Sequence, residues 1–268
     1  MAVSSAFSGE GPARASIRRP APGETWHGID AERLELVSRG DVVTGWLARA
    51  ALRNAQGKAN AKAKAAKARS ALLMAVHDSA ESASATELGI AAGWIGPELS
   101  LVAIDLPLHG HRASPKLSER LIAGLVQRGR GDEIDRNGQV LVEEFWRQAT
   151  VDLIRTLDAV LALGGHDPKR IGLLGIGLGA ALVETLLARD DRPRAAVLIR
   201  PPNAKPASLA PMDSAMPAGA RNRPSASSDR RAAAAAERLV IEAETDASIW
   251  GAAARTFFEA RLRQETVR

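Results

Sequence analysis

The chain has 268 residues, of which 46% are apolar and 25% charged, with a formal net charge of +5; that length allows one large α/β domain or two small ones, with a sizeable core. It contains no cysteine and no tyrosine, and aromatic residues make up 3%. This excludes disulfides, thiolate metal sites and a cysteine nucleophile, and argues against aromatic stacking platforms for single-stranded nucleic acid. No apolar run approaches the roughly 20 residues of a membrane span, so a soluble, cytoplasmic chain without a membrane partner is expected.

Residues 1–30 carry Arg and Ser but lack the apolar stretch of a secretory signal. They are expected to form a disordered tail; organelle targeting through that tail is the alternative. Residues 31–268 are expected to form one domain with low-complexity inserts at 53–69 and 201–238. Basic residues concentrate at 14–19, 58–69 and 221–231, each stretch rich in Ala, Ser, Pro or Gly. Such stretches read as solvated loops, so no nucleic-acid partner is expected.

The first structured piece is a hairpin. Arg33-Leu34-Glu35-Leu36-Val37 alternates polar and apolar, residues 38–41 supply a turn that contains an Arg-Gly-Asp triplet, and residues 42–47 return. Five later runs, at 71–76, 101–104, 171–174, 195–199 and 239–241, are apolar at nearly every position. Runs of that kind suit strands buried on both faces of a parallel sheet. Between them lie helical patterns at 151–163, 178–188 and 252–262; the first places Leu153, Ile154, Leu157, Val160 and Leu161 on one stripe. The alternation predicts an α/β three-layer sandwich around a mostly parallel, doubly wound sheet. Residues 115–139 and 201–238 read as loops that would set ligand specificity.

Ligands of open parallel sheets bind beyond the carboxyl ends of the strands. The run at 171–174 exits into Gly175-Ile176-Gly177-Leu178-Gly179-Ala180. One reading is a nucleophile elbow of G-x-S-x-G type; the other is a G-x-G-x-x-A dinucleotide fingerprint with pyrophosphate on the helix N-terminus. Spacing alone suits the fingerprint. Position favours the elbow, because the fingerprint normally follows the first strand of its unit, with an acid about 20 residues on. Here the next strand ends in Ile199-Arg200, an arginine that suits a 2′-phosphate and keeps NAD(P) binding open.

Asp105-Leu106-Pro107-Leu108-His109-Gly110-His111-Arg112 resembles the D-x-P-x-H-G-x-R stretch of α/β-hydrolase-fold esterases and peptidases, in particular the dienelactone-hydrolase and prolyl-oligopeptidase-like branches. Asp167-Pro168-Lys169-Arg170-Ile171-Gly172-Leu173-Leu174-Gly175 is similar to the lead-in to their elbow. Val76-His77-Asp78 falls at their His-Gly oxyanion loop, and Ala243-Glu244-Thr245-Asp246 resembles the strand end that carries the triad acid. The resemblance covers about residues 32–262 and implies the α/β-hydrolase fold, with its C-terminal strand missing here.

For the site, the resemblance implies Gly177 at the position of the nucleophilic serine and Asp246 at that of the triad acid. His77, Asp78 and Leu178 fall at the oxyanion pocket, and Asp105, His109, Gly175 and Gly179 at structural positions beside it. The triad runs Ser, Asp or Glu, then His, and no histidine follows residue 166. Asp78 stands where the family has glycine, and a carboxylate beside an oxyanion site opposes developing negative charge. Glycine at the elbow relaxes a strained positive-φ turn that costs other residues about 1–3 kcal/mol. The expectation is a pseudoenzyme that binds a small molecule or a protein partner. The alternatives are an active esterase, thioesterase or lyase using another constellation, such as Ser79 or a water held by His77, and an NAD(P)-binding protein. Neither H-x-E nor H-E-x-x-H spacing occurs among the histidines, so no metal and no cofactor are expected.

Overall fold

The computed structural model of the chain describes residues 14–20, 24–50, 69–200, 236–242 and 247–262. Strands β2 (Glu32–Ser38) and β3 (Asp41–Ala48) form the expected hairpin, in register Val37 opposite Val42. The turn is made by Arg39 and Gly40, both at positive φ, so the Arg-Gly-Asp triplet serves the reversal of the chain.

The expected tail is partly ordered. Strand β1 (Ala15–Arg18) pairs antiparallel with β2, and Trp26 is buried. The Trp26 ring stacks on Trp46, and its Nε1–H donates to the Ala83 carbonyl at 2.8 Å. A tryptophan supplied with both apolar cover and a partner for its N–H is strongly retained, which overrides the polar composition around it.

Strands β4 (Ser70–Val76), β5 (Leu99–Ile104), β6 (His166–Ile176), β7 (Pro193–Arg200) and β8 (Glu237–Glu242) match the five apolar runs. They complete one eight-stranded sheet in the order β1-β2-β3-β5-β4-β6-β7-β8, antiparallel from β1 to β5 and parallel from β5 to β8. Side-chain alternation sends Leu72, Met74 and Val76 of β4 to one face and Ala71, Leu73 and Ala75 to the other.

Helices cover both faces. Helices α2 (Pro115–Arg130), α3 (Arg136–Ala162) and α4 (Leu178–Leu187) bury Leu121, Phe145, Trp146, Leu153 and Leu182 on the first. Helices α1 (Leu88–Ala92) and α5 (Ala247–Arg261) bury Leu88, Trp250 and Phe258 on the second. The result is the expected three-layer sandwich.

Residues 115–139, expected as a specificity loop, are largely helical. Pro115 sits at the first helical position, and Gly131 at φ +81° ends α2, the usual pairing of punctuating residues. Helix α3 begins well before residue 151; the Asp135 side chain accepts the Gly138 N–H at 2.5 Å and caps it. The insert at 53–69, apart from Arg69, and residues 201–235 of the second insert lie outside the described residues, while residues 237–238 belong to β8. The last described element is α5, with no strand after β8 among the described residues.

Candidate functional site

The glycine series lies where β6 turns into α4, beyond the carboxyl ends of the parallel strands. Gly175 and Gly179 are required by close approach: a β-carbon on Gly175 would lie 2.6 Å from the Ala180 Cα, and one on Gly179 would overlap the Val76 carbonyl oxygen. Helix, turn and strand β4 therefore touch backbone to backbone. Gly177 between them adopts φ +55°, ψ −114°, and its N–H donates to the Ile199 carbonyl at 2.8 Å. This sharp, positive-φ strand-to-helix turn has the geometry of a nucleophile elbow.

The space above Gly177 is filled. A β-carbon on residue 177 would overlap the Asp78 carboxyl group. Asp78 Oδ1 accepts the Leu178 N–H and the Ser79 N–H, both at 2.7 Å. An elbow directs two such donors at an oxyanion: the N–H after the nucleophile and one from the loop that follows the neighbouring strand. Here an aspartate of the chain itself takes both. The Leu178 N–H is also the donor that a pyrophosphate on this helix N-terminus would use, and here Asp78 Oδ1 accepts it.

The three residues expected around this turn serve different ends. His77 is buried; its Nδ1 faces the Asp78 carbonyl at 2.7 Å, and its Nε2 accepts the Leu106 N–H at 3.2 Å. These partners fix the tautomer with the proton on Nδ1. Burial lowers its pKa to about 4, so the ring is neutral and both nitrogens are committed. His109 Nδ1 donates to the Pro107 carbonyl at 2.7 Å, and the ring lies between His77 and Phe145. Burial lowers its pKa as well. Asp105 is buried, and Ala83 N–H, Thr44 Oγ1 and His111 converge on its carboxylate. Asp105 ties the loops together from below the turn.

Asp246 lies outside the described residues. His166 begins β6, is buried, and has Nδ1 at 3.2 Å from the Ser70 hydroxyl. His27, placed in the tail, stands in a turn at φ +52° against Trp26.

A cavity of about 150 Å³ opens beside the turn, lined by His77, Asp78, Ser79, Glu81, Glu87 and Ile176 among others. Glu81 and Glu87 were not singled out in the sequence, because they follow the oxyanion loop with no motif to mark them. Burial, then Glu87 and Asp78, raises the Glu81 pKa. Ser79 itself borders the cavity; its N–H donates to Asp78, and no histidine nitrogen is bonded to its hydroxyl. Among the described residues no three His, Asp or Glu side chains converge to hold a metal ion. No helix of the described residues is long and apolar enough to cross a membrane.

Sequence comparison finds no matching protein-family model and no matching curated protein. Among solved structures, the chain is similar to an acetyl xylan esterase from Paenibacillus sp., with a TM-score of 0.49, 16% identity, and coverage of 70% of this chain and 54% of that one. It is also similar to acetyl xylan esterase 1 from Thermoanaerobacterium sp., at a TM-score of 0.46 and 16% identity, covering 71% and 53%. A cold-adapted esterase from an Arctic intertidal metagenomic library aligns at a TM-score of 0.48 and 16% identity over 90% of this chain and 100% of that one. The chain thus spans about half the length of the two acetyl xylan esterases. The mostly parallel eight-stranded sheet, the helices on both of its faces and the positive-φ turn from β6 into α4 together give this chain the α/β-hydrolase fold.

Proposed function

We propose that the chain is a non-hydrolytic member of the α/β-hydrolase superfamily that acts by binding a small molecule or a protein partner. One observation carries this reading: the Asp78 carboxylate takes the Leu178 and Ser79 N–H donors and fills the space over Gly177. An ester carbonyl needs those donors free and a nucleophile between them. Gly177 offers no attacking atom, and His77, the histidine beside the turn, is neutral with both ring nitrogens bonded. Glu81 and Glu87 add further carboxylates to the cavity, which disfavours the negative charge that acyl transfer develops.

Turnover of short-chain aryl esters and thioesters by the purified chain tests the proposal, with Gly177→Ala as comparator. The expected result is no turnover above the buffer blank, before or after Gly177→Ser. Turnover that survives Gly177→Ala would overturn the proposal in favour of a nucleophile elsewhere, sought first at Ser79. Turnover abolished by that change would overturn it in favour of chemistry at this turn.

A further inference from the structure

The Asp105–His111 pair is built more elaborately than loop bracing needs. Gly110 at φ +53° brings the backbone so close that a β-carbon there would overlap the Asp105 carboxyl group. The next residue then bonds Asp105 Oδ2 twice, through its backbone N–H at 3.2 Å and its ring Nδ1 at 3.0 Å. Thr44 Oγ1 donates to the same oxygen at 2.9 Å, and the Ala83 N–H holds Oδ1 at 2.8 Å. The backbone bonds alone secure the loop. The ring bond adds an orientation: the buried carboxylate accepts from Nδ1 and turns Nε2 outward, a lone pair in the neutral ring and an N–H donor in the protonated one. The His111 side chain is 60% exposed, that of Asp105 only 3%.

The His111 ring borders a cleft of about 490 Å³ that shares no lining residue with the cavity at the elbow and is also lined by Arg18, Arg19, Arg33 and Thr44. Two of the arginines are neutralised. Arg33 pairs with Glu24 and lies 3.8 Å over the Trp46 ring, and Arg18 pairs with Glu35. Arg19 is exposed and makes no ion pair among the described residues. Its guanidinium and the oriented imidazole are the groups on the cleft wall left to meet a ligand. A fork of guanidinium N–H donors beside the outward Nε2–H of a protonated imidazole suits an oxyanion, since charge-assisted hydrogen bonds to such a group are the strong ones. The anion is bound together with the ring's second proton.

We infer that this cleft is a second site, which binds a small oxyanion, a phosphate or carboxylate group, between Arg19 and His111. The site belongs to the antiparallel end of the sheet and is independent of the chemistry proposed at Gly177.

The test is a titration of the full-length, ¹⁵N-labelled chain with inorganic phosphate and, separately, with acetate, at ionic strength held constant with sodium chloride. The His111 ring resonances are assigned by their loss in His111→Gln. A saturable shift of these resonances with either anion is the expected result, and the anion that saturates names the group recognised. Arg19→Gln should weaken that binding about tenfold, as loss of one charge-assisted hydrogen bond implies. Arg19 is exposed, so an unchanged melting temperature of Arg19→Gln separates lost binding from lost folding. No saturable shift with either anion, or the same affinity after Arg19→Gln, would overturn the inference.

Discussion

The carboxyl group of Asp78 occupies the place of the β-carbon that Gly177 lacks, with one oxygen bonded to Leu178 N–H and Ser79 N–H at 2.7 Å. The two residues are therefore coupled by exclusion. Gly177→Ala should be destabilising twice over, through a positive-φ strain of about 1–3 kcal/mol and through displacement of the carboxylate. In an Asp78→Gly background the second cost disappears. A double-mutant cycle by urea denaturation should show a coupling of about 1 kcal/mol or more between the positions; strict additivity would contradict the packing described.

The close approach of helix α4 to strand β4 sets a second expectation. A β-carbon on Gly179 would overlap the Val76 carbonyl oxygen and lie 2.7 Å from that of His77, both backbone atoms that cannot swing aside. Gly179→Ala should lower stability by about 1–3 kcal/mol, the range for overpacking a tight interior. Thermal melts of the variant would check it, and an unchanged midpoint would mean that helix and strand stand further apart.

Arg112 and Asp152 form an ion pair at 2.8 Å whose side chains are 5% and 0% exposed. Burial raises the Asp152 pKa, and Arg112 is the first influence opposing that rise. Arg112→Ala would leave the carboxylate buried without its counter-charge, a loss of about 3–5 kcal/mol. Adding Asp152→Asn should recover part of the loss, because the group left behind is then neutral. Chemical denaturation of the single and double variants measures both steps.

His77 and His166 are buried with pKa values lowered to about 4, chiefly by desolvation. The unfolded chain binds protons at these residues near pH 6.5, so between 6.5 and 4 it holds more protons than the folded one. Stability should therefore fall as pH drops through this window, by about 2 kcal/mol per histidine at pH 5. Urea midpoints at pH 7 and pH 5 test this, and His166→Gln should flatten part of the slope. A midpoint independent of pH would show that the two rings are not desolvated.

Strands β4, β5, β7 and the second half of β6 were legible because full burial leaves apolar residues at nearly every position, whereas β8 is half exposed and only its short Leu239-Val240-Ile241 run marks it. The short antiparallel β1 was not legible: Ala15, Ile17 and their polar neighbours make a four-residue pattern too brief to read, and its partner β2 alone gives it meaning. Helix α2 escaped for a different reason. Its sequence is strongly polar, with only Leu121, Gly124 and Leu125 buried, so composition pointed to a loop although Pro115 and Gly131 marked both ends. At the site, the order of glycines disclosed the turn, and Asp78 was visible as an unusual residue beside it. Its position inside the turn was not, since that depends on a contact between residues one hundred positions apart. Asp152 interrupts the apolar stretch of α3, and its burial there is explained by the Arg112 and Gln148 side chains that donate to its carboxylate.

The contact between Asp78 and the turn also has a consequence for competition. A carboxylate resting on the two N–H donors of an elbow resembles the acid product that an esterase releases at the end of its cycle, except that this acid is joined to the polypeptide and cannot leave. Tethering sets its effective concentration at millimolar or above. A free carboxylic acid at trace levels would not displace it, and any molecule that gains these donors must first displace the Asp78 side chain.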